Sequence, residues 1–285
     1  MKVYTLRAFA ADRSGGNPAG VVLDAETLND DEKKLIAARV GFSETAFVEK
    51  SHGADFKVRF FTPTEEVDLC GHATIATYAL LFEKGIISPG SYTQELKAGI
   101  LGVTVTKDGF VFMEQALPKF SEILNSETIQ GIFNQTFIFE ALKPQIVSTG
   151  LRDVMFPVES RKILFSLDPD LDILSQYNRE TDSIGLHAFT FDTIYADSVA
   201  HCRNFSPLYG IREESATGSS SGALACYLFK NGFLNDTKLE MMRFEQGYSM
   251  QQPSEIFITL VTDGPRIFKI LVGGHATFIG ERDIG

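Results

Sequence analysis

One short sequence pattern occurs twice in this chain, and the repeat limits the folds that its 285 residues can adopt. The first copy runs from Cys70 to Gly85 and the second from Thr217 to Gly232, so that corresponding residues are 147 positions apart (217 − 70 and 232 − 85). Each copy has a polar, glycine-containing turn followed by an apolar run that stops at glycine. This is typical of a helix that begins at the turn. The repeat predicts two similar halves, each with one central helix, whose helix starts converge on one cleft.

The composition predicts a globular protein and does not exclude a small anionic substrate. Hydrophobic residues make up 44% of the chain and charged residues 22%, which is enough for a sizeable core. A net charge of −11 argues against nucleic acid or an anionic membrane as partner. The sequence contains no apolar run long enough for a transmembrane helix, and its N-terminus has no apolar signal core, so we expect a cytoplasmic protein. Three widely spaced cysteines without a C-x-x-C pair predict neither a disulfide framework nor a zinc site.

Short alternating segments separated by turn residues predict strands in both halves. The central runs, Ala73 to Lys84 and Ser220 to Lys230, are apolar nearly all round, which is typical of buried helices. The predicted fold is therefore α+β: two pseudo-symmetric domains, each a rolled, barrel-like, mostly antiparallel sheet around a central helix. We expect the domains to span residues 1–118 and 119–275, and the tail 276–285 can return to the first.

The starts of the two central helices are candidate anion sites. A helix N-terminus has unsatisfied N–H groups and a partial positive charge, which attract a carboxylate or phosphate. Gly71 and Gly218 allow close backbone approach, and Thr217, Ser219 and Ser220 add hydroxyl donors. Ordinary helix capping by these hydroxyls is the alternative for either copy alone, but two copies at corresponding places favour a shared anion site.

Glu44 is a candidate acid/base residue. It lies in a predicted strand from Phe42 to Glu49, where alternation places it on the same face as Phe42 and Ala46. A carboxyl on such an apolar face is costly to ionise, so burial is expected to raise its pKa toward neutrality. The alternative is an edge-strand glutamate that faces solvent.

Cys70 and His72 flank Gly71 at the start of the first central helix. His72 can donate to a substrate carboxylate or relay a proton, or it can simply bond to the backbone. Cys70 can be a thiolate, because a helix N-terminus lowers the pKa of a thiol, or a small buried residue. The other histidines have no metal-ligand spacing, so we expect no metal site.

Two motif searches exclude common enzyme classes. Residues 218–222 fit G-x-S-x-G, the nucleophile elbow of many hydrolases, but the residues before them are mostly polar and the βα alternation of that fold is absent. The glycine-rich motifs of dinucleotide and nucleoside triphosphate sites do not occur. We therefore expect neither a hydrolase nor a nicotinamide or nucleoside triphosphate site.

An ordered set of motifs resembles the phenazine-biosynthesis PhzF-like isomerases. The set covers nearly the whole chain and is highly specific; it comprises Gly16–Val21, Ser43–Phe47, Leu69–Thr74, Ser148–Gly150, Arg203–Phe205, Ala216–Ser219 and Pro253-Ser254. The resemblance implies the diaminopimelate-epimerase-like fold, with two pseudo-symmetric halves and a site between them. This agrees with the repeat.

The resemblance also implies roles for individual residues. Glu44 matches the general acid/base glutamate of the family, and His72 and Ser219 match polar residues of its site. Glu214 stands where the family usually has aspartate, which puts the position of a second carboxylate in doubt. Cofactor-independent epimerases of this fold use two cysteines, but Thr217 replaces the second one here. The predicted catalytic residues are Glu44, His72, Glu214 and Ser219; the predicted substrate-binding residues are Asn17, Cys70, Gly71, Ala73, Thr217, Gly218 and Ser220.

The leading hypothesis is a cofactor-independent isomerase that shifts a proton on a small carboxylate, with Glu44 as acid/base. The alternatives are a one-thiol epimerase or dehydratase that uses Cys70 with Glu44, and a catalytically idle interaction protein of the same fold. Substrate specificity is expected to depend on loops such as Asp12 to Gly16 and the segment near Tyr209. The family makes a homodimer plausible.

Overall fold

The computed structural model describes residues 1–11, 15–133, 139, 141–234 and 239–284. It divides into two compact units, one formed by Met1–Glu114 with Gly273–Gly285 and the other by Gln115–Val272. These limits fall a few residues before those expected from the sequence. No helix among the described residues combines the length and apolar character that crossing a membrane requires.

The first unit contains most of the strands of the N-terminal half, two helices and the C-terminal strand. In chain order they are β1 (Lys2–Ala8), β2 (Asn17–Val22), α1 (Asp30–Val40), β3 (Thr45–Glu49), β4 (Phe56–Phe61), β5 (Glu66–Val67), α2 (Gly71–Glu83), β6 (Gly90–Leu96), β7 (Gly99–Val105), β8 (Val111–Gln115) and, at the end of the chain, β18 (Ala276–Asp283).

The second unit has the same kind of composition, with more helix on its surface. Its elements are β9 (Lys119–Ile123), α3 (Ser126–Ile132), β10 (Gln145–Ser148), β11 (Arg152–Pro157), α4 (Arg161–Ser166), α5 (Leu171–Glu180), β12 (Gly185–Thr190), β13 (Ser198–Ser206), β14 (Ile211–Glu214), α6 (Gly218–Lys230), β15 (Met242–Gln246), β16 (Ser254–Asp263) and β17 (Arg266–Gly274).

The two units share one pattern of strand pairing. In the first, β1 pairs antiparallel with β18 and β2, β2 is parallel to β3, β3 is antiparallel to β4, and β4 is antiparallel to β5 but parallel to β6, which is antiparallel to β7. In the second, β10, β11, β12, β13, β14, β15 and β16 repeat these relations, with β9 in the place of β18. The predicted mostly antiparallel α+β fold with internal pseudo-symmetry is confirmed.

The central helices α2 and α6 preserve the repeat residue for residue, since both span 13 residues and start 147 positions apart (218 − 71). Every residue of α2 from His72 to Leu81 is buried, and the helix packs against β1, β2, β3, β7 and β18. In α6, buried residues run from Ser220 to Leu228, and the helix packs against β10, β11 and β16. Strands that approach from several sides explain why these helices are apolar all round.

Candidate active site

Glu44 lies at the end of the turn that precedes β3, not inside the strand. The predicted strand from Phe42 therefore begins too early, since β3 starts at Thr45. The backbone carbonyl of Glu44 still accepts from the Gly20 N–H at 3.4 Å, which ties this turn to β2. Its side chain is only 13% exposed, so the expectation of a buried carboxyl holds for a different local reason.

Four side chains of the first unit meet at the start of α2. His72 Nε2 lies 3.3 Å from Glu44 Oε2, and His72 Nδ1 lies 3.2 Å from the Asn17 side-chain amide. Cys70 Sγ lies 3.5 Å from Nδ1 and 3.8 Å from Nε2 of the same ring. Asn17, Cys70 and His72 are all buried. The structure thus brings together residues from β2, the β3 turn and α2 that the sequence placed in one site.

The Glu44 carboxyl is ionised at neutral pH. Burial opposes its ionisation, but the hydrogen bond and positive charge of His72, helped by Ser43, outweigh burial and lower the pKa of Glu44 below its ordinary value. The expectation that burial would raise this pKa toward neutrality is therefore wrong, because it ignored the histidine. Glu44 is therefore a carboxylate and not a neutral carboxylic acid at neutral pH.

His72 is the cationic partner. Burial alone would lower the pKa of His72, but its interactions with Cys70, including a hydrogen bond, and with the ionised Glu44 raise that pKa well above 6.5. The pKa of the Cys70 thiol is itself raised, by burial first and by the Glu44 charge as well, despite the opposing effect of His72. Cys70 is therefore a neutral thiol at neutral pH, and Glu44 holds the proton on His72. Of the two states that the sequence left open for Cys70, the small buried residue with a neutral thiol is the one that the structure supports, because desolvation dominates.

Glu44, Cys70 and His72 form a group whose possible ligand atoms lie within 4.8 Å of one another. The arrangement does not surround a common metal position. A metal bound to an imidazole lies in the ring plane along the lone pair of one nitrogen. The Cys70 sulfur is almost equally far from both ring nitrogens, at 3.5 and 3.8 Å, so it lies against the ring and not along either lone pair.

The start of α6 is held by a second set of hydrogen bonds. The Thr217 hydroxyl donates to Glu214 Oε2 at 2.7 Å, and the Thr217 N–H donates to Gln246 Oε1 at 3.1 Å. The Gln246 amide nitrogen donates in turn to the Glu214 carbonyl at 2.8 Å. The carboxylate of Glu214 thus fixes the residue before α6. Gln246 was not predicted from the sequence, because its partners lie about thirty residues away and no local pattern marks it.

The serines of the first turn of α6 face different surroundings. Ser219 is partly exposed, and its carbonyl accepts from the Thr149 hydroxyl at 3.1 Å. Ser220 is fully buried, and its hydroxyl donates to Asp153 Oδ2 at 2.6 Å. Asp153 was also missed, although an acidic residue directly before the apolar run Val154–Phe156 is a signal that could have found it.

The first turns of α2 and α6 differ from those of the other helices. Neither Cys70 nor Thr217 makes a side-chain capping hydrogen bond, and the Thr217 hydroxyl turns instead to Glu214. The other four α-helices in the described part of the chain are each capped by a side chain: Asn29, Asn125, Ser160 and Asp170. Ordinary capping, the alternative for the repeated motif, therefore does not account for these two helix starts. Their first N–H groups have no intrahelical acceptor.

Gly247 packs closely against the backbone that precedes α6, and its replacement tests whether this close packing is needed. It has φ of +81°, and a Cβ there would lie 2.2 Å from the Gln252 carbonyl and 2.6 Å from the Ser215 carbonyl. We expect Gly247→Ala to destabilise the protein by about 3 kcal/mol, since backbone strain adds to an overpacked contact. Gly210→Ala is the matched control: φ is +70° with nothing within 4 Å, so about 1 kcal/mol is expected. Equal shifts in urea unfolding for both variants would contradict this assignment.

Of the two loops expected to set specificity, residues Asp12 to Ser14 lie outside the described residues. The segment near Tyr209 is a short helical turn from Pro207 to Tyr209, which leads into β14 and so to Glu214. Tyr209 is 54% exposed. The exposed turn that contains Tyr209 is therefore linked, through β14 and Glu214, to Thr217 at the start of α6.

Comparison with known proteins gives a consistent result. Residues 6–282 match the family model PhzC-PhzF, described as phenazine biosynthesis-like protein. The uncharacterized isomerase YfhB of Bacillus subtilis (strain 168) is 34% identical over 290 residues, which cover 99% of this chain and 97% of that protein. The crystal structure of a PhzF-family phenazine biosynthesis protein from Bacillus anthracis superposes with a TM-score of 0.89 at 29% identity, covering 100% and 98% of the two chains. A predicted epimerase from Pseudomonas aeruginosa shares the fold, with a TM-score of 0.82 at 23% identity and coverage of 99% and 98%.

Proposed function

This chain belongs to the phenazine biosynthesis-like PhzC-PhzF family and is an isomerase, and from that premise we propose a cofactor-independent reaction in which Glu44 moves a proton between two carbons of a small carboxylate. The observation that carries the proposal is the environment of the Glu44 Oε2 atom. This oxygen is buried, its hydrogen bond with His72 Nε2 is long and poorly aligned at 3.3 Å, and no other donor among the described residues reaches it. The positive charge of His72 keeps the Glu44 carboxylate ionised. Because few hydrogen-bond donors surround Oε2, this oxygen keeps the lone pair that a general base needs.

One carboxylate is enough for the proposed reaction, because the same group removes the proton and returns it. Glu44 removes a proton from a C–H bond near the substrate carboxylate, and the electron pair spreads into an enolate-like system. The same Glu44 O–H then returns the proton to a second carbon, which regenerates the base. The His72 imidazolium opposes the negative charge that develops on the substrate. Acid/base catalysis of this kind contributes about 10²–10⁴-fold to the rate.

Uncapped helix starts supply the anion-binding groups of the proposal. At α2 the backbone N–H groups of Gly71 and Ala73, with the Asn17 side chain, are the candidates for the substrate carboxylate. At α6 the corresponding groups belong to Gly218 and Ser220, while Glu214 positions Thr217. That both helix starts bind one substrate stays a prediction from the sequence repeat.

Three further expectations accompany the proposal. Cofactor independence follows from the single-base proton balance, which calls for no redox or group-transfer reagent. A cytoplasmic location and a homodimer stay predictions from the sequence and the family resemblance. Size-exclusion chromatography with light scattering tests the dimer directly.

Deuterium exchange tests the proposed function. The protein is incubated in D₂O with a panel of small amino, hydroxy and unsaturated carboxylic acids, and mass spectrometry follows deuterium into C–H positions. Incorporation with a shifted double bond or an inverted centre identifies the substrate class and the reaction. Absence of incorporation into every acid of the panel would contradict the proposal.

The thiol-based alternative makes a different prediction at Cys70. The thiol touches the His72 ring, which is the contact that favours an epimerase, but its raised pKa keeps it protonated. We expect Cys70→Ala to retain deuterium exchange within about tenfold of wild type, because a neutral thiol is not the base. Loss of exchange in Cys70→Ala with retention in Glu44→Gln would instead assign proton removal to the thiol.

A further inference from the structure

A buried carboxyl lies beneath the first turn of α6 and has no role in the proton transfer proposed above. Asp153 on β11 is fully buried. Its Oδ2 atom accepts the Ser220 hydroxyl at 2.6 Å, whereas its Oδ1 atom is buried without a hydrogen-bond partner among the described residues. Ser220 is the third residue of α6, so Asp153 places a titratable group beside the positive end of that helix.

Comparison of the two units shows that this carboxyl is particular to the second. Asp153 lies opposite Gly185 on the parallel strand β12, and a Cβ at Gly185 would lie 3.1 Å from Asp153 Oδ1. In the first unit the corresponding parallel pair places Gly20 opposite Thr45, and a Cβ at Gly20 would lie 2.8 Å from the Thr45 hydroxyl. Glycine thus makes room for one polar side chain in each unit. The first unit uses a neutral hydroxyl and the second an ionisable carboxyl.

No opposite charge compensates Asp153 from the elements packed against it. Residues 145–148 of β10 carry no titratable group, and in α6 the first is Cys226, whose pKa burial raises to about 12. On β12 the titratable group is His187, whose pKa is lowered to about 4 by burial despite its hydrogen bond with Asn204, so it is neutral. Burial raises the pKa of Asp153 to about 6, against the Ser220 hydrogen bond. Asp153 is therefore ionised at neutral pH and protonated in mild acid.

We propose that Asp153 is a positioning residue that orients Ser220 and, as an internal counter-charge, limits how tightly the start of α6 holds an anion. A carboxylate beside the helix end already offsets part of the positive potential there, and it repels a second anion at the first N–H groups of α6. When that negative charge is lost, the full positive potential at the start of α6 acts on a bound anion. The inference rests on the proposed function only in taking the ligand to be the substrate carboxylate.

Formate is a suitable probe, because it is a carboxylate that stays ionised in mild acid. Formate is titrated into ¹⁵N-labelled protein, and the amide shifts of Gly218–Ser220 are followed beside those of Gly71–Ala73. The α2 start is an internal reference, since the pKa of Glu44 lies below its ordinary value and that of His72 well above its own. At a pH of about 7.5, Asp153→Asn is expected to tighten formate binding at the α6 amides about tenfold and to leave the α2 amides unchanged.

The wild type supplies a second readout that does not depend on a variant folding. Its formate affinity at the α6 amides is expected to rise as pH falls through about 6, whereas that of Asp153→Asn stays flat. Ser220→Ala, which keeps the carboxyl but loses its donor, should not reproduce the gain at neutral pH. Equal changes at both helix starts, a wild-type affinity independent of pH, or no α6 shift with formate would each overturn the inference. None of these results decides whether deuterium exchange depends on Glu44, so the inference can fail while the proposed function stands.

Discussion

Replacement of Glu44 by glutamine is expected to lower the rate of deuterium exchange by about 10²–10⁴-fold, since the variant keeps the size and polarity of the side chain but has no basic oxygen. Glu44→Asp keeps the charge but shortens the side chain, which moves the carboxylate away from His72 Nε2. In the wild type these atoms are 3.3 Å apart. An intermediate loss is expected for Glu44→Asp, because a shift of about 1 Å is enough to disturb proton transfer. Glu65→Gln, an exposed glutamate of the same unit, is the control for charge and should exchange at the wild-type rate.

The pH profile gives a second check on the same assignment. The ionised base requires a pH above the lowered pKa of Glu44, and the imidazolium requires a pH below the raised pKa of His72. Wild-type kcat/KM should therefore be flat from about pH 5 to beyond pH 7 and fall on both sides. In Glu44→Gln the pKa of His72 should drop, which NMR of the ring protons measures. A variant with normal exchange, or with an unchanged His72 pKa, would show that Glu44 and His72 do not act as a pair.

Local signals account for most of the elements that the sequence predicted. Asn29 or Asp30 as cap predicts the start of α1, and Gly41 predicts its end. In the structure Asn29 is the cap, in a reciprocal capping box with Glu32, and Gly41 has the left-handed conformation. Lys107 to Gly109 predicts the hairpin between β7 and β8, and those strands are antiparallel. In each case a few adjacent residues determine the conformation, so the amino-acid sequence alone is sufficient to predict the element.

The errors arise where neighbours distant in sequence decide. Residues 15–18 have the composition of a turn, yet Asn17 and Pro18 open β2, because Pro18 pairs with Arg7 on one side before β3 joins at Gly20 on the other. The protonation of Glu44 depends on His72, 28 positions further along (72 − 44), and its direction was predicted wrongly. Helix α5 was missed although Asp170 caps it and Leu174 is buried at helical spacing, so here the signal was present and was not used.

Arg203 belongs to the motif that carries the family resemblance, yet its surroundings indicate a structural role and a large cost of removal. It is 8% exposed, and its Nε and Nη2 atoms donate to the two oxygens of Glu213 at 2.8 and 2.7 Å. Its Nη1 atom donates to the carbonyls of Leu164 and Leu167 at 2.9 and 2.7 Å, which close the end of α4. The guanidinium thus satisfies a half-buried carboxylate and two backbone acceptors at once.

Arg203→Met is therefore expected to destabilise the second unit by about 3–5 kcal/mol, because it leaves the largely buried Glu213 charge without its cationic partner and removes a donor from both carbonyls. For a unit of this size that corresponds to a fall in the unfolding midpoint of roughly 10 °C. Arg212→Met is the matched control, since its ion pair with Asp168 has side chains 65% and 76% exposed and should contribute at most about 1 kcal/mol. Thermal unfolding monitored by circular dichroism compares the two. A midpoint for Arg203→Met no lower than that for Arg212→Met would mean that Arg203 does not hold α4 and β14 together, and its place in the motif would then require a role at the substrate.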